Sequence, residues 1–223
     1  MDGERKAAFF DLDGTLVHST LVHTYAYYAR NHRSILKSLY KFAKVVASVP
    51  LLILIDLYSR RAFNVYHFKR YKGMERDRLI GLADDLFETV TKPSIYPRAP
   101  ELVSESRKAG YRNVLVTGTL DFTAQPVAEH LGFDELICNR LEFVNHIATG
   151  RVIPPLIAEE AKVEAIVDYC RRENIDLSRS RAYSDSFSDL PMLQAVGEPI
   201  ATNPDRRLKR VAMEQRWPII FLS

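Results

Sequence analysis

Cysteine is scarce, with only Cys138 and Cys170 in 223 residues. Their spacing suits neither a metal knuckle nor a disulfide framework. Cys138 falls in an apolar strand-like run and Cys170 in a helix-like one, so both read as packed thiols, which accords with a reducing cytoplasm. Long apolar runs are also missing. The best candidate, Val45 to Leu57, is interrupted by Ser48, Pro50 and Asp56, and is too short and too broken for a membrane-spanning helix. Met1 to Lys6 is polar and leads straight into an apolar run, so no signal peptide is expected. There is no internal repeat and no low-complexity segment. No carboxylate occurs between Asp13 and Asp56. What is present is ordinary: 47% hydrophobic and 26% charged residues, enough for a sizeable core in one globular unit or in a core with an insertion.

The most informative stretch is Phe9-Phe10-Asp11-Leu12-Asp13-Gly14-Thr15-Leu16. Ala7 to Phe10 reads as a buried strand of a parallel sheet. Such sheets bind ligands beyond the carboxyl ends of their strands, so Asp11 and Asp13 would sit at a strand tip in a crevice. Side chains alternate along a strand, so both carboxylates can face one side. Two such close carboxylates repel unless a positive group intervenes. Mg²⁺, which uses one or two carboxylates plus phosphate oxygens, is the obvious neutraliser. The plainer reading of the same residues is a turn after a strand.

Downstream, about 18–94 carries helical spacing almost throughout, with stretches over Ser19–Arg30, Ser34–Pro50, Phe63–Tyr71 and Glu75–Val90. Tyr25, Tyr27 and Tyr28 fall on the first of these and read as packing residues. Helices and strands then alternate, the mark of a doubly wound α/β fold. Strands are expected at Val114–Val116, Glu135–Cys138, Arg181–Ser184, Pro199–Ala201 and Pro218–Leu222, with a hairpin from Leu141–Val144 and Gly150–Ile153. Thr117-Gly118-Thr119 ends one strand and Tyr183 to Met192 follows another. Lys162 lies near the start of a helix, with Arg151 as a second candidate for the same cationic duty. Each alone has a plain structural explanation: a strand-to-helix turn, a helix-capping run, a solvated lysine. His18, His23, His67 and His146 have no ligand spacing among themselves.

Asp11-Leu12-Asp13-Gly14-Thr15-Leu16 resembles the first motif of the haloacid dehalogenase-like phosphatases. Thr117, Lys162 and Tyr183–Met192 are similar to the family's second, third and fourth motifs, in the same order. The resemblance implies an α/β core of residues 1–17 plus 95–223 and a helical cap of 18–94. It implies Asp11 as nucleophile, forming an aspartyl-phosphate, and Asp13 as general acid and then base. Thr117 and Gly118 would hold the phosphate, and Lys162 would offset the charge of Asp11. Mg²⁺ would bind Asp11, Asp185 and the main-chain carbonyl of Asp13, with Asp189 supporting. Ser184 and Ser188 stand where the family often has Gly and Asn; Ser184 is expected to matter little and Ser188 to loosen the outer shell. A response-regulator receiver domain has a comparable acidic pocket, but nothing like residues 18–94 interrupts it.

Cap position and Asp185/Asp189 spacing look most similar to the phosphoserine phosphatase-like subgroup. Phosphoserine phosphatase itself carries a Glu four residues beyond the Leu of motif one; here that position is Thr20. With no other acid nearby, a partner for an ammonium group is missing and phosphoserine becomes a poor substrate. Arg30 to Lys72 holds ten Lys/Arg against Asp56 alone, in a chain of net charge +3. At 100° per residue, Arg30, Arg33, Lys37, Lys41 and Lys44 form a stripe roughly 80° wide. Beside the apolar run this reads as a surface for anionic membrane, at the inner face of a cytoplasmic membrane, with a lipid-like phosphate ester as substrate. The alternatives are a cap face buried internally or in a homodimer with a soluble phosphometabolite as substrate, and a non-catalytic binding module on the same fold. No nucleic-acid module is present.

Overall fold

The computed structural model describes residues 5–19, 21–30, 47, 48, 50–52, 54, 55 and 58–223. Its sheet has six strands: β1 (Ala7–Phe10), β2 (Arg112–Leu120), β3 (Glu135–Asn139), β6 (Arg181–Ser184), β7 (Glu198–Thr202) and β8 (Ile219–Ile220). They lie in the order β3-β2-β1-β6-β7-β8, and every neighbouring pair is parallel. Period-two alternation assigns each face its side chains. Ala7, Phe9, Val114, Val116 and Ala182 share one face with the helices α7 (Glu160–Glu173), α8 (Leu190–Gln194) and α9 (Arg206–Gln215). Ala8, Phe10, Leu115 and Tyr183 share the other with α5 (Ala99–Lys108) and α6 (Asp121–Leu131). The expected doubly wound parallel fold is therefore present.

From β1 the chain builds outward through β2 to β3, then restarts at β6 on the opposite side of β1. That reversal is a topological switch point, where open α/β sheets form their ligand crevice. Phe10 is in register with Tyr183, their rings stacked at 4.4 Å, and Asp11 N–H donates to the Tyr183 carbonyl at 2.9 Å. The chains leaving β1 and β6 thus emerge side by side.

The intervening region contributes α1 (Leu21–Arg30), helical residues between 47 and 58, α2 (Arg60–Phe68), α3 (Arg76–Gly81) and α4 (Ala83–Leu86). Tyr25, Tyr28, Phe68, Tyr71, Leu79 and Leu86 pack together, as the tyrosine cluster suggested. Leu141 and Ala148 join the same cluster from the antiparallel pair β4 (Leu141–Val144) and β5 (Ile147–Val152). Several boundaries differ from expectation. The strand β5 begins at Ile147, not Gly150, because Asn145 and His146 take φ of 48° and 63° and close a two-residue hairpin turn. The helix expected over Glu75–Val90 is interrupted at Leu82 (φ −96°, ψ −3°) and widens over Phe87–Thr91. The helix α2 starts three residues earlier than the expected Phe63, because Ser59 caps it by accepting from Ala62 N–H. The strand β2 continues through Thr117–Leu120, with a register shift against β3. Arg33, Lys37, Lys41, Lys44 and Thr20 lie outside the described residues, as does the Arg30 side chain.

Candidate active site

The loop after β1 is built on one glycine. Gly14 has φ +87°, and a Cβ there would fall 2.1 Å from Asp185 Oδ2. Behind it, the Leu12 carbonyl accepts from the N–H groups of Leu16 (2.9 Å) and Val17 (3.1 Å), which curls the chain and turns Thr15 inward. Thr15 Oγ1 lies 3.2 Å from Asp11 Oδ2 and 3.1 Å from Asp185 Oδ1, and accepts from Asp185 N–H at 3.0 Å. A hydroxyl has one proton, so it serves only one of the two carboxylates at a time. Burial raises the Asp11 carboxyl above its ordinary value, against the pull of Lys162. Asp185 is pushed well above the usual range by burial and then by the charges of Asp11 and Asp189.

Lys162 answers part of this charge. It projects from the first turn of α7, is 4% exposed, and donates to Asp11 Oδ1 at 2.6 Å and Asp189 Oδ2 at 2.8 Å. Burial opposes its charge, but the two carboxylates outweigh that and hold the ammonium above its usual range. Asp189 also accepts from Ser184 Oγ at 2.7 Å, so Ser184, expected to matter little, orients the residue that orients Lys162. Ser188 pairs with Ser186, Oγ to Oγ, at 2.9 Å. Arg151 does not reach the site: its guanidinium bonds Glu142 on the hairpin, 2.9–3.0 Å away, and faces solvent.

Asp13 Oδ2 accepts from Thr119 Oγ1 at 2.7 Å. Burial pushes the Asp13 carboxyl up to about 6, with the Thr119 bond working in the other direction. Thr117 Oγ1 accepts from Thr119 N–H at 3.0 Å, leaving its own proton available, and Gly118 lines the cleft between β2 and α2. That cleft, narrow at about 30 Å³, is walled by Asp11, Asp13, Gly118, Lys162, Asp189, Ser186 and Ser188, and across from them by Arg60 and Asn64. An adjoining groove shares Arg60, Ser186 and Ser188 and reaches Asp185. Arg60, Asn64, Thr15 and Thr119 were not assigned from sequence. For Arg60 and Asn64 the one available signal was the Ser59 cap, which puts them four apart on one helical face.

The donor set fits a hard dication. Two buried carboxylates share a single hydroxyl proton, and both are raised by burial and by the charge of Asp189, with Asp11 adding to the rise at Asp185. A dication would relieve both effects. No group of three or more His, Cys, Asp or Glu among the described residues forms an all-side-chain cage. Mg²⁺ does not require one, since it keeps waters and takes substrate oxygens.

Carboxylates from two strand tips, a buried lysine and a threonine-glycine strand end, gathered at the switch point of this sheet, form a candidate site whose groups suit hydrolysis by phosphoryl transfer. The model of the haloacid dehalogenase-like hydrolases matches residues 8–194, and the chain belongs to that family. The expected phosphatase class and its phosphoserine phosphatase-like character are borne out. The chain is 31% identical to phosphoserine phosphatase SerB1 of Mycobacterium tuberculosis over 214 residues, 96% of this chain and 70% of that one. It is 26% identical to histidinol-phosphatase of Neisseria meningitidis, over 97% of this chain and 98% of that one. A Bordetella pertussis Tohama I protein of unknown function superposes with a TM-score of 0.85 at 26% identity, over 98% of this chain and 99% of that one.

Proposed function

We propose that this protein is a Mg²⁺-dependent phosphomonoesterase that carries the phosphoryl group on Asp11 and acts on a small, polar phosphate ester. The observation that carries this reading is the pairing of Asp11, ion-paired to Lys162, with a raised-pKa Asp13 at the same cleft. An Asp11 oxygen attacks phosphorus, and the bond to the ester oxygen breaks. Asp13 gives its proton to the departing alkoxide, and a carboxyl near 6 can hold that proton close to neutrality. Asp13, now ionised, takes a proton from water as that water attacks the aspartyl-phosphate, releasing phosphate and restoring Asp11. Thr117 Oγ1 and Gly118 N–H donate to phosphoryl oxygens, and Lys162 offsets the charge on Asp11. Asp11, Asp185 and the Asp13 carbonyl would hold Mg²⁺, which when bound offsets negative charge on the phosphoryl oxygens. Asp189 fixes Lys162. In this reading 1–17 with 95–223 is the catalytic core and 18–94 the cap, with the β4–β5 hairpin packed beneath the cap.

A polar ester suits the polar lining of the cleft, where Asp13, Arg60, Asn64 and Ser186 face the space beside Asp11. Two of the phosphatase relatives are named for phosphoserine and for histidinol, so a small phosphate ester bearing an amino group is the class favoured. Phosphoserine ranks low within it because Thr20 replaces the expected Glu. A second reading rests on Leu51, Leu54, Tyr58, Val65 and Tyr66, all exposed on the cap. That face would meet an anionic membrane, or a second copy, from the cytoplasmic side, and the ester would be lipid-like.

One screen tests both. Inorganic phosphate is measured from soluble phosphate esters and from phosphorylated lipids in vesicles, with EDTA and with added Mg²⁺. Small esters should rank first, EDTA should abolish release and Mg²⁺ restore it. Lipids at the top would favour the second reading, and full activity after metal stripping would refute the metal assignment.

A further inference from the structure

Asn64 is fully buried, yet neither its Oδ1 nor its Nδ2 has a hydrogen-bond partner among the described residues. A buried carboxamide without partners is costly and calls for a physical reason. His67, one turn further along α2, also lacks hydrogen-bond partners among the described residues, but it sits in a box of Phe63, Tyr25, Phe68 and Tyr71 rings and does not line the cleft. Asn64 does line it. The approach is built in from the opposite wall: a Cβ at Gly118 would fall 2.9 Å from Asn64 Nδ2, so glycine leaves the space the carboxamide uses. Asp11 lies across the cleft, and in-line attack sends the leaving oxygen away from it.

We propose that Asn64 is a specificity residue that binds a polar group on the leaving alcohol, using Nδ2 as donor and Oδ1 as acceptor. This rests on the phosphatase reading. The favoured substrates are monoesters of small alcohols with a second hydrogen-bonding group, and an apolar leaving group cannot satisfy the carboxamide.

The test compares wild type with Asn64→Leu, close in shape, and Asn64→Ala, on phenyl phosphate and on glycerol phosphate, phosphoethanolamine and histidinol phosphate. For the best polar ester, Asn64→Leu should lower kcat/KM by about 10- to 100-fold. The ratio of kcat/KM on that ester to kcat/KM on phenyl phosphate should fall at least about tenfold, and Tm should hold or rise as an unsatisfied polar group is removed. Equal losses on all esters, or no loss on the polar ones, would overturn the proposal. Should Asn64→Leu fold poorly, the same selectivity ratio read from Asn64→Ala decides. A wild-type enzyme inactive on every ester, phenyl phosphate included, would instead overturn the phosphatase reading and this inference with it.

Discussion

Thr15 carries one hydroxyl proton, and two buried carboxylates compete for it. Most of the site's tension can be read from that residue, yet sequence points only to its neighbours. Asp11, Asp13 and Asp185 are legible because each follows a short apolar strand within a local motif. Thr15 and Thr119 matter through partners 170 and 106 residues away, and no local pattern encodes such long convergences. His67 illustrates the same limit. Its sequence context suggests a surface or packing histidine, and the fold buries it until its pKa falls to about 3, by desolvation and then by the charge of Arg70. The folded pKa lies below the unfolded value of 6.5, so the unfolded chain binds the proton first. The contribution of neutral His67 is therefore intact above about pH 6.5 and is lost as pH falls toward 3. Between pH 6.5 and 5 it should cost about 2 kcal/mol, at about 1.4 kcal/mol per unit. In urea titrations at pH 7 and pH 5, His67→Phe, which keeps a ring against Phe63, should lose less stability than wild type on acidification. Identical pH slopes for the two proteins would contradict this.

At the scale of elements, α2 and the entry to α7 are stitched together. Glu159 takes φ +51°, a left-handed conformation that favours glycine, and its Oε1 accepts from Ser59 Oγ and Arg61 N–H, each at 3.1 Å. Strain of that kind persists only where surrounding contacts hold it. The contact ties the helix bearing Arg60 and Asn64 to the helix bearing Lys162. It also places a negative charge at the N-terminus of α2, where the helix dipole favours one. Glu159→Ala should speed amide hydrogen exchange in the first turns of α2 and raise KM several-fold with a smaller change in kcat. Glu159→Gln, which keeps an accepting oxygen, should recover most of both. Unchanged exchange across residues 60–68 in Glu159→Ala would show that the stitch positions nothing. The helical character of this region was legible from its spacing, but its breaks were not. The interruption at Leu82 and the turn at Asn145–His146 depend on single backbone conformations that hydrophobic period does not report.

At the scale of the whole molecule, sheet order explains why residues from four short stretches converge on the candidate site. Parallel α/β sheets send the carboxyl ends of all strands to one edge, so motifs far apart in sequence meet at a place that topology alone determines. β1 and β6 flank the switch point, and residues that follow them supply Asp11, Asp13 and Asp185. Threonine and glycine at the end of β2 and lysine at the start of α7 complete the ring. The far wall is different. It is contributed by α2 from the inserted region, whose docking onto the sheet follows no general rule of strand order, and Arg60 and Asn64 were accordingly missed. The central claim is that Asp11 is phosphorylated during turnover. The direct test is to quench the Mg²⁺-loaded enzyme in acid while it hydrolyses p-nitrophenyl phosphate, and to map the peptide containing Asp11 by mass spectrometry. A hydroxylamine-labile phosphoryl group on Asp11, absent in a folded Asp11→Asn variant that has lost turnover by several orders of magnitude, is the result this account predicts. Phosphate release that continues at near-normal rate in Asp11→Asn would contradict it.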